Sequence, residues 1–123
     1  MSGEAGRPWP MDLEFSADDR ALKIAFDDGA RFAIPYELLR VASPSAEVRG
    51  HRAQDAKLVS GKKNVGVSRA EPVGRYAVRI VFDDGHDSGL YAWDLLYELG
   101  RDGDRRLRDY FDQLEKAGLR REA

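Results

Sequence analysis

Leu22-Lys23-Ile24-Ala25-Phe26-Asp27-Asp28-Gly29 returns later in the chain as Val78-Arg79-Ile80-Val81-Phe82-Asp83-Asp84-Gly85. In each copy apolar residues alternate with others up to an Asp-Asp-Gly run, the pattern of a half-buried strand entering a turn. Glycine accepts the positive φ that primed hairpin turns require, so Asp28-Gly29 and Asp84-Gly85 read as tight primed turns. The match continues beyond them. Ile34-Pro35-Tyr36-Glu37-Leu38-Leu39 is echoed by Tyr91-Ala92-Trp93-Asp94-Leu95-Leu96, with one residue inserted in the second copy. The repeated unit is therefore strand, tight turn, strand and short helix.

Leu13 and Phe15 alternate with polar neighbours ahead of the first copy, and Ala17-Asp18-Asp19 makes a turn. Phe32 and Ile34 continue the return strand, and Pro35 ends it and opens a short helix through Leu39. In the second half the sheet is expected to resume near Val65 and Val67, turn at Glu71-Pro72-Val73-Gly74 and run from Tyr76 to Phe82. Tyr76, Val78, Ile80 and Phe82 form one face, while Ala77 and Val81 make the other apolar too. That is the pattern of a central strand covered on both sides. Trp93 to Leu99 reads as helix, Gly100 to Gly103 as punctuation, and Asp104 to Ala117 as an amphipathic helix with Leu107, Tyr110, Phe111 and Leu114 on one face. Gly118 is placed to cap it. The expected class is α+β: an antiparallel β-sheet built from two related hairpin-plus-short-helix units, with a C-terminal amphipathic helix. Residues 1–10 read as a flexible N-terminal arm whose sticky point is Trp9, residues 11–100 as the domain, and residues 101–123 as the C-terminal helix and charged tail.

The 123 residues suffice for one core without a staple. The absence of cysteine excludes disulfides, thiolate nucleophiles and Cys-ligated zinc or clusters within the chain, and fits a cytoplasmic location. A formal charge of -2 argues against a general nucleic-acid binder, which would carry a net basic face. No apolar run approaches a membrane span, and Met1-Ser2-Gly3-Glu4-Ala5-Gly6-Arg7 lacks the apolar core of a secretion signal.

Neither copy of the repeat carries a nucleophile, a cofactor loop or a ligand cluster, so no catalytic residue is assigned and the chain is not expected to be an enzyme. Asp27-Asp28 and Asp83-Asp84 are explained by turn propensity, since the same residues recur at equivalent hairpins. His86 follows the second turn beside Asp83, Asp84 and Asp87. It is the one metal-ligand candidate, with His51 as a distant second imidazole. Arg49, Arg52, Lys62 and Lys63, in a long connection rich in positive charge, are candidates for binding an anionic partner. Trp93 is a further partner-binding candidate because aromatic anchors dominate interfaces, although its place in the repeat, matching Tyr36, favours the core.

Leu38-Leu39-Arg40 with Ser43-Pro44-Ser45-Ala46-Glu47-Val48, and Glu71-Pro72-Val73-Gly74-Arg75-Tyr76-Ala77 with the run Phe82 to Leu96, resemble the gamma-butyrobetaine hydroxylase-like N-terminal domain family, over about Trp9 to Leu99. In bacteria this family occurs as a small free-standing protein of unknown function. The resemblance implies a zinc site in the hydroxylase relatives, whose three cysteines fall on Ser43, Ser45 and Val48 and whose histidine falls on His86. Only the histidine is kept. Serine hydroxyls are poor zinc ligands and valine is none, so apolar packing around Val48 is expected to take the metal's structural place. A related domain also resembles an appendage of Mrp-type iron–sulfur carriers. The resemblance thus implies a non-catalytic accessory or protein-interaction domain for an unknown protein partner, without cofactor. Its alternative is a protein in iron or iron–sulfur metabolism that binds zinc or iron weakly.

Overall fold

The computed structural model describes residues 8–44 and 58–122. The first half consists of β1 (Pro10–Ser16), β2 (Ala21–Phe26), β3 (Arg31–Pro35) and α1 (Tyr36–Val41). The second half repeats that order as β4 (Val67–Val73), β5 (Ala77–Phe82), β6 (Gly89–Ala92) and α2 (Trp93–Arg101), and α3 (Gly103–Ala117) follows. The strands form two three-stranded antiparallel sheets, β1-β2-β3 and β4-β5-β6, each with its repeated strand in the centre. The α+β class and the C-terminal helix are as the sequence implies.

The duplication reaches the hydrogen bonds. Leu22 pairs with Ile34 as Val78 pairs with Tyr91, and Ile24 pairs with Phe32 as Ile80 pairs with Gly89. A third strand belongs to each unit, with an irregularity in the same place: between Pro10 and Asp12 in β1, and between Val67 and Arg69 in β4. The first helical N–H of α1 has no side-chain cap and donates to the Arg20 carbonyl at 2.9 Å, while the first of α2 donates to the Tyr76 carbonyl at 3.3 Å. Each helix start is thus satisfied from the residue before its own central strand.

The hairpins differ from the primed turns expected. Gly29 and Gly85 have φ of +91° and +95°, but the residues before them do not share the positive φ. Phe26 N–H donates to the Ala30 carbonyl at 2.9 Å and Phe82 N–H to the His86 carbonyl at 2.9 Å, closing three-residue loops whose last residue is a left-handed glycine. This loop lets the second aspartate accept the backbone N–H two residues on, Ala30 to Asp28 at 2.9 Å and His86 to Asp84 at 3.0 Å. The expected turn at Glu71-Pro72-Val73-Gly74 also moves. β4 runs through Val73, tolerating Pro72 because it is an edge strand, and Gly74 turns the chain at φ +58°. Tyr76 consequently leaves the strand and is 74% exposed rather than facing the core.

The inner faces of the sheets share one core. Leu22, Ile24, Phe26 and Ile34 meet Val78, Ile80, Phe82 and Tyr91, with Leu38, Leu39, Leu96 and Leu99 from the helices. Close approach of α2 to β3 depends on Gly100, where a Cβ would stand 2.3 Å from Cγ of Phe32. α3 closes the remaining side through Tyr110 and Leu114 and ends at Gly118, whose left-handed φ of +69° allows Leu119 N–H to reach the Leu114 carbonyl at 2.9 Å.

The tail beyond it is tied down. Gly61 and Lys63 donate to the carbonyls of Arg120 and Arg121, each at 2.9 Å, and Tyr110 donates to the Val59 carbonyl at 2.6 Å. Arg121 bonds both oxygens of the buried Glu37 carboxylate at 2.8 and 3.1 Å, with its guanidinium 4.2 Å from the centre of the Phe111 ring. Trp9, expected in the arm, folds back: its N–H donates to Asp27 at 3.0 Å, its carbonyl accepts from the Asp27 N–H, and its ring stands edge-on to Trp93 at 6.4 Å.

Because the added Cβ would meet Cβ and Cγ of Phe32 rather than the tip of a flexible side chain, Gly100→Ala is expected to cost roughly 2–3 kcal/mol in chemical denaturation. Adding Phe32→Leu should recover part of the loss. A Gly100→Ala protein as stable as wild type would show that the ring is not held there.

Candidate functional site

The sequence candidates separate in the structure. Ser45, Val48, Arg49, His51 and Arg52 lie outside the described residues. Lys62 is paired within the domain, its ammonium 2.6 Å from Asp84. Lys63 reaches Glu122 at 3.4 Å and stays half-exposed. Trp93 is half-buried against the core, and its indole N–H donates to the Arg75 carbonyl at 2.8 Å. Ser43 and His86 come together although they are far apart in sequence, Ser43 Oγ lying 2.9 Å from His86 Nε2, with both residues buried.

Elements of both units build this site. Ser43 sits just past the end of α1, His86 just past the Asp83-Asp84-Gly85 loop, and Gly89 and Tyr91 on β6 form the floor. Ser43 also hydrogen-bonds the Tyr91 phenol, which in turn donates to the Leu39 carbonyl. That carbonyl lies in the last turn of a six-residue helix, where no further turn follows to pair it. Burial pushes the Tyr91 phenol up, against the opposing effect of Ser43 and Arg40, so it stays a neutral donor.

Asp84 lies beside this chain in a basic setting, with Arg40 Nε at 2.9 Å and Lys62 Nζ at 2.6 Å on one oxygen and the His86 N–H on the other. Burial opposes its ionisation. The hydrogen bonds from Lys62, the His86 amide and Arg40 outweigh that burial and hold the carboxyl at about 2. The equivalent Asp28 is held by Tyr97, whose hydroxyl donates to it at 2.7 Å, and this bond lowers its pKa. Arg40 and Tyr97 occupy the same place in their helices, and each reaches the other unit's hairpin. Reading of single residues missed Arg40 and Gly89, but alignment of the two copies carried the signal for Arg40, since Tyr97 stands opposite it.

The described residues do not fit a zinc ion. Two donors on one tetrahedral zinc stand roughly 3.5 Å apart, whereas Ser43 and His86 touch at 2.9 Å. The neighbouring carboxylates turn elsewhere: Asp84 to Arg40 and Lys62, Asp87 toward Arg79 at 3.8 Å, and Asp83 to the backbone at Gly66, where a Cβ would stand 2.7 Å from its Oδ2. Among the described residues no three His, Cys, Asp or Glu side chains form a group that would hold a metal, and no helix is long and apolar enough to cross a membrane.

These features define a small, internally duplicated α+β domain with a buried polar seat between its halves. The sequence model for "Gamma-butyrobetaine hydroxylase-like, N-terminal" matches residues 13–97, and the chain belongs to that family. Two solution structures determined by NMR are similar over nearly the whole chain. One is 44% identical, with TM-score 0.81, over 98% of this chain and 90% of its own; the other is 42% identical, with TM-score 0.83, over 95% and 92%. A crystal structure of a protein of unknown function, of the DUF971 family from Acidithiobacillus ferrooxidans, is 32% identical with TM-score 0.63, over 74% of this chain and 91% of its own. No curated protein matches.

The depressed pKa of Asp84 makes its contribution to stability pH-dependent. Its folded value of about 2 lies below the ordinary 3.8, so the stabilisation is fully present above pH 4 and disappears as the pH falls through about 2. Asp84→Asn keeps the acceptor for the His86 N–H and removes the charge. It is expected to cost roughly 1 kcal/mol at neutral pH, because solvent at this partly exposed group screens the ion pairs, with the gap to wild type closing between pH 4 and pH 2. A gap that stays constant over that range would mean that the ion pairs contribute nothing.

Proposed function

We propose that this domain is a non-catalytic accessory module that docks a protein partner in the cytoplasm, using neither a cofactor nor a membrane or nucleic-acid surface. The observation that carries this reading is the aromatic end of the molecule. Trp9 and Trp93 stand edge-on there, the turn carrying Tyr76 receives both N–H groups of Trp93, and Met11 follows two positions after Trp9. Tyr76 and Met11 are 74% and 68% exposed. Exposed aromatic and methionine side chains on a rigid frame are the anchors from which interfaces are built.

The charged groups are engaged differently. Glu37, Glu71 and Asp84 are each paired with one or two arginines or lysines of the same chain, which suits a structural frame more than a charged docking face. Asp27 and Asp28 serve their hairpin through Trp9, Ala30 and Tyr97. The metal-handling alternative finds no supporting ligand group among the described residues.

Affinity capture from native lysate tests the reading, with wild type beside a Met11→Ser, Tyr76→Ser double variant. Both side chains are exposed, so the variant is expected to melt like wild type and to lose the captured partner. Equal capture by the two proteins would overturn the proposal. So would loss of the partner on Arg49→Gln, Arg52→Gln instead, because the docking surface would then be the basic connection.

A further inference from the structure

Gly100 and Ser43 stand at the same place in the two units, seven positions after Trp93 and Tyr36, which begin the helices. The strand residues that face them, Phe32 and Gly89, are also equivalent, since they pair with Ile24 and Ile80 at the matching register. The two seats are filled in opposite ways. In the first, the Phe32 ring lies against Gly100, with no room for a Cβ there. In the second, the strand residue is glycine, and a Cβ on it would stand 2.3 Å from Ser43 Oγ and 3.0 Å from the Tyr91 ring. The space that one ring occupies in the first unit is taken in the second by a hydroxyl, an imidazole and a phenol.

We infer that this Ser43–His86–Tyr91 chain is a metal-independent latch, which closes the seat that Gly89 opens and stands where the family resemblance implies a zinc site. Its links run from His86 Nε2 to Ser43 Oγ at 2.9 Å, from Ser43 to the Tyr91 phenol, and from the phenol to the Leu39 carbonyl. Buried polar atoms are costly when unpaired and rigidifying when the chain is complete. This chain ends on a helix-terminal carbonyl that needs a donor, so each side chain in it bonds another group of the fold. It ties three elements together: the end of α1, the second hairpin and β6. A zinc-built domain gains folding energy from its ion and is undone by chelators, whereas a latch of this kind makes the fold indifferent to both. The inference is independent of the docking proposal, because it concerns what holds the domain together rather than what the domain binds.

The test is thermal melting of the full-length protein with excess EDTA, with equimolar zinc and with equimolar ferrous iron. The melting temperature is expected not to move in any of the three. Ser43→Ala should lower it by roughly 5–10 °C, since it removes both hydrogen bonds that Ser43 makes in the buried chain. Ser43→Ala combined with His86→Gln should lower it by less than the sum of the single changes, as for two groups sharing one interaction. A fall with EDTA, a rise at stoichiometric zinc, or additive substitutions would overturn the latch. Should the variants fail to fold, the ring-nitrogen NMR signals of His86 in the wild type decide the question. Signals unmoved by zinc support the latch, and a zinc-induced shift overturns it.

Discussion

A three-stranded sheet with one apolar face cannot close a core by itself, and among the described residues each repeated unit supplies three strands and one short helix. The two inner faces must therefore cover each other. Leu22, Ile24 and Phe26 belong to the same cluster as Val78, Ile80 and Phe82, and the tight contacts beyond that cluster run between units as well as within them. Tyr97 of the second unit packs edge-on against Phe26 and Phe32 of the first, at 4.9 and 5.2 Å, and bonds Asp28. Arg40 of the first unit bonds Asp84 of the second. Once the halves are bound to pack reciprocally, each helix lies against the partner hairpin at its fifth residue, and whatever occupies that residue sets how the hairpin aspartate is held.

The chemistry of the molecule lies where this repetition breaks. Ala30 becomes His86 directly after the glycine of the loop, Phe32 becomes Gly89, and Gly100 is answered by Ser43. Those three replacements together turn a dry aromatic seat into a polar one. A second break separates Trp9 from Gly66, which hold equivalent places, since each accepts the N–H of the first loop aspartate. Only the first unit can thus bring an aromatic ring to the opposite helix start, and the aromatic end of the molecule is one-sided for that reason. Duplicated frames commonly keep their backbone while individual side chains diverge, because backbone hydrogen bonds constrain position and a buried void constrains only the total volume filled.

The hairpins, the short helices and the long amphipathic helix were legible because each depends on local pattern: alternation, an Asp-Gly run, or a stripe of Leu107, Tyr110 and Leu114. The turn chemistry was half legible. Glycine φ was read correctly at Gly29 and Gly85, but whether the aspartate before it also turns left-handed depends on the bond its carboxylate makes to the residue beyond, which composition does not reveal. Tyr76 was misplaced because Pro72 suggests a turn wherever it occurs, and only the edge position of β4 makes a proline harmless there. His86 was found, and so was Ser43, but their contact was not. It requires the end of α1 to descend on β6, a tertiary event recorded in the sequence only as a glycine at position 89.

The tail shows how far the domain extends beyond its family signature. The match to the family stops at residue 97, yet Glu37, in the first turn of α1, carries a buried carboxylate whose oxygens are bonded by Arg121. A buried carboxylate without its partner is costly, so a glutamate at this place is compatible with the fold only because α3 ends at Gly118 and returns the chain across α1. The same return brings Arg120 and Arg121 beside Gly61 and Lys63, and Lys62 between them reaches Asp84 on the second hairpin. A continuous line of contacts thus joins the last residues of the chain to the polar seat through Lys62, Asp84 and the His86 amide. Segments at the margin of a family pattern are often regarded as additions to a finished core. In this chain the core is finished by them.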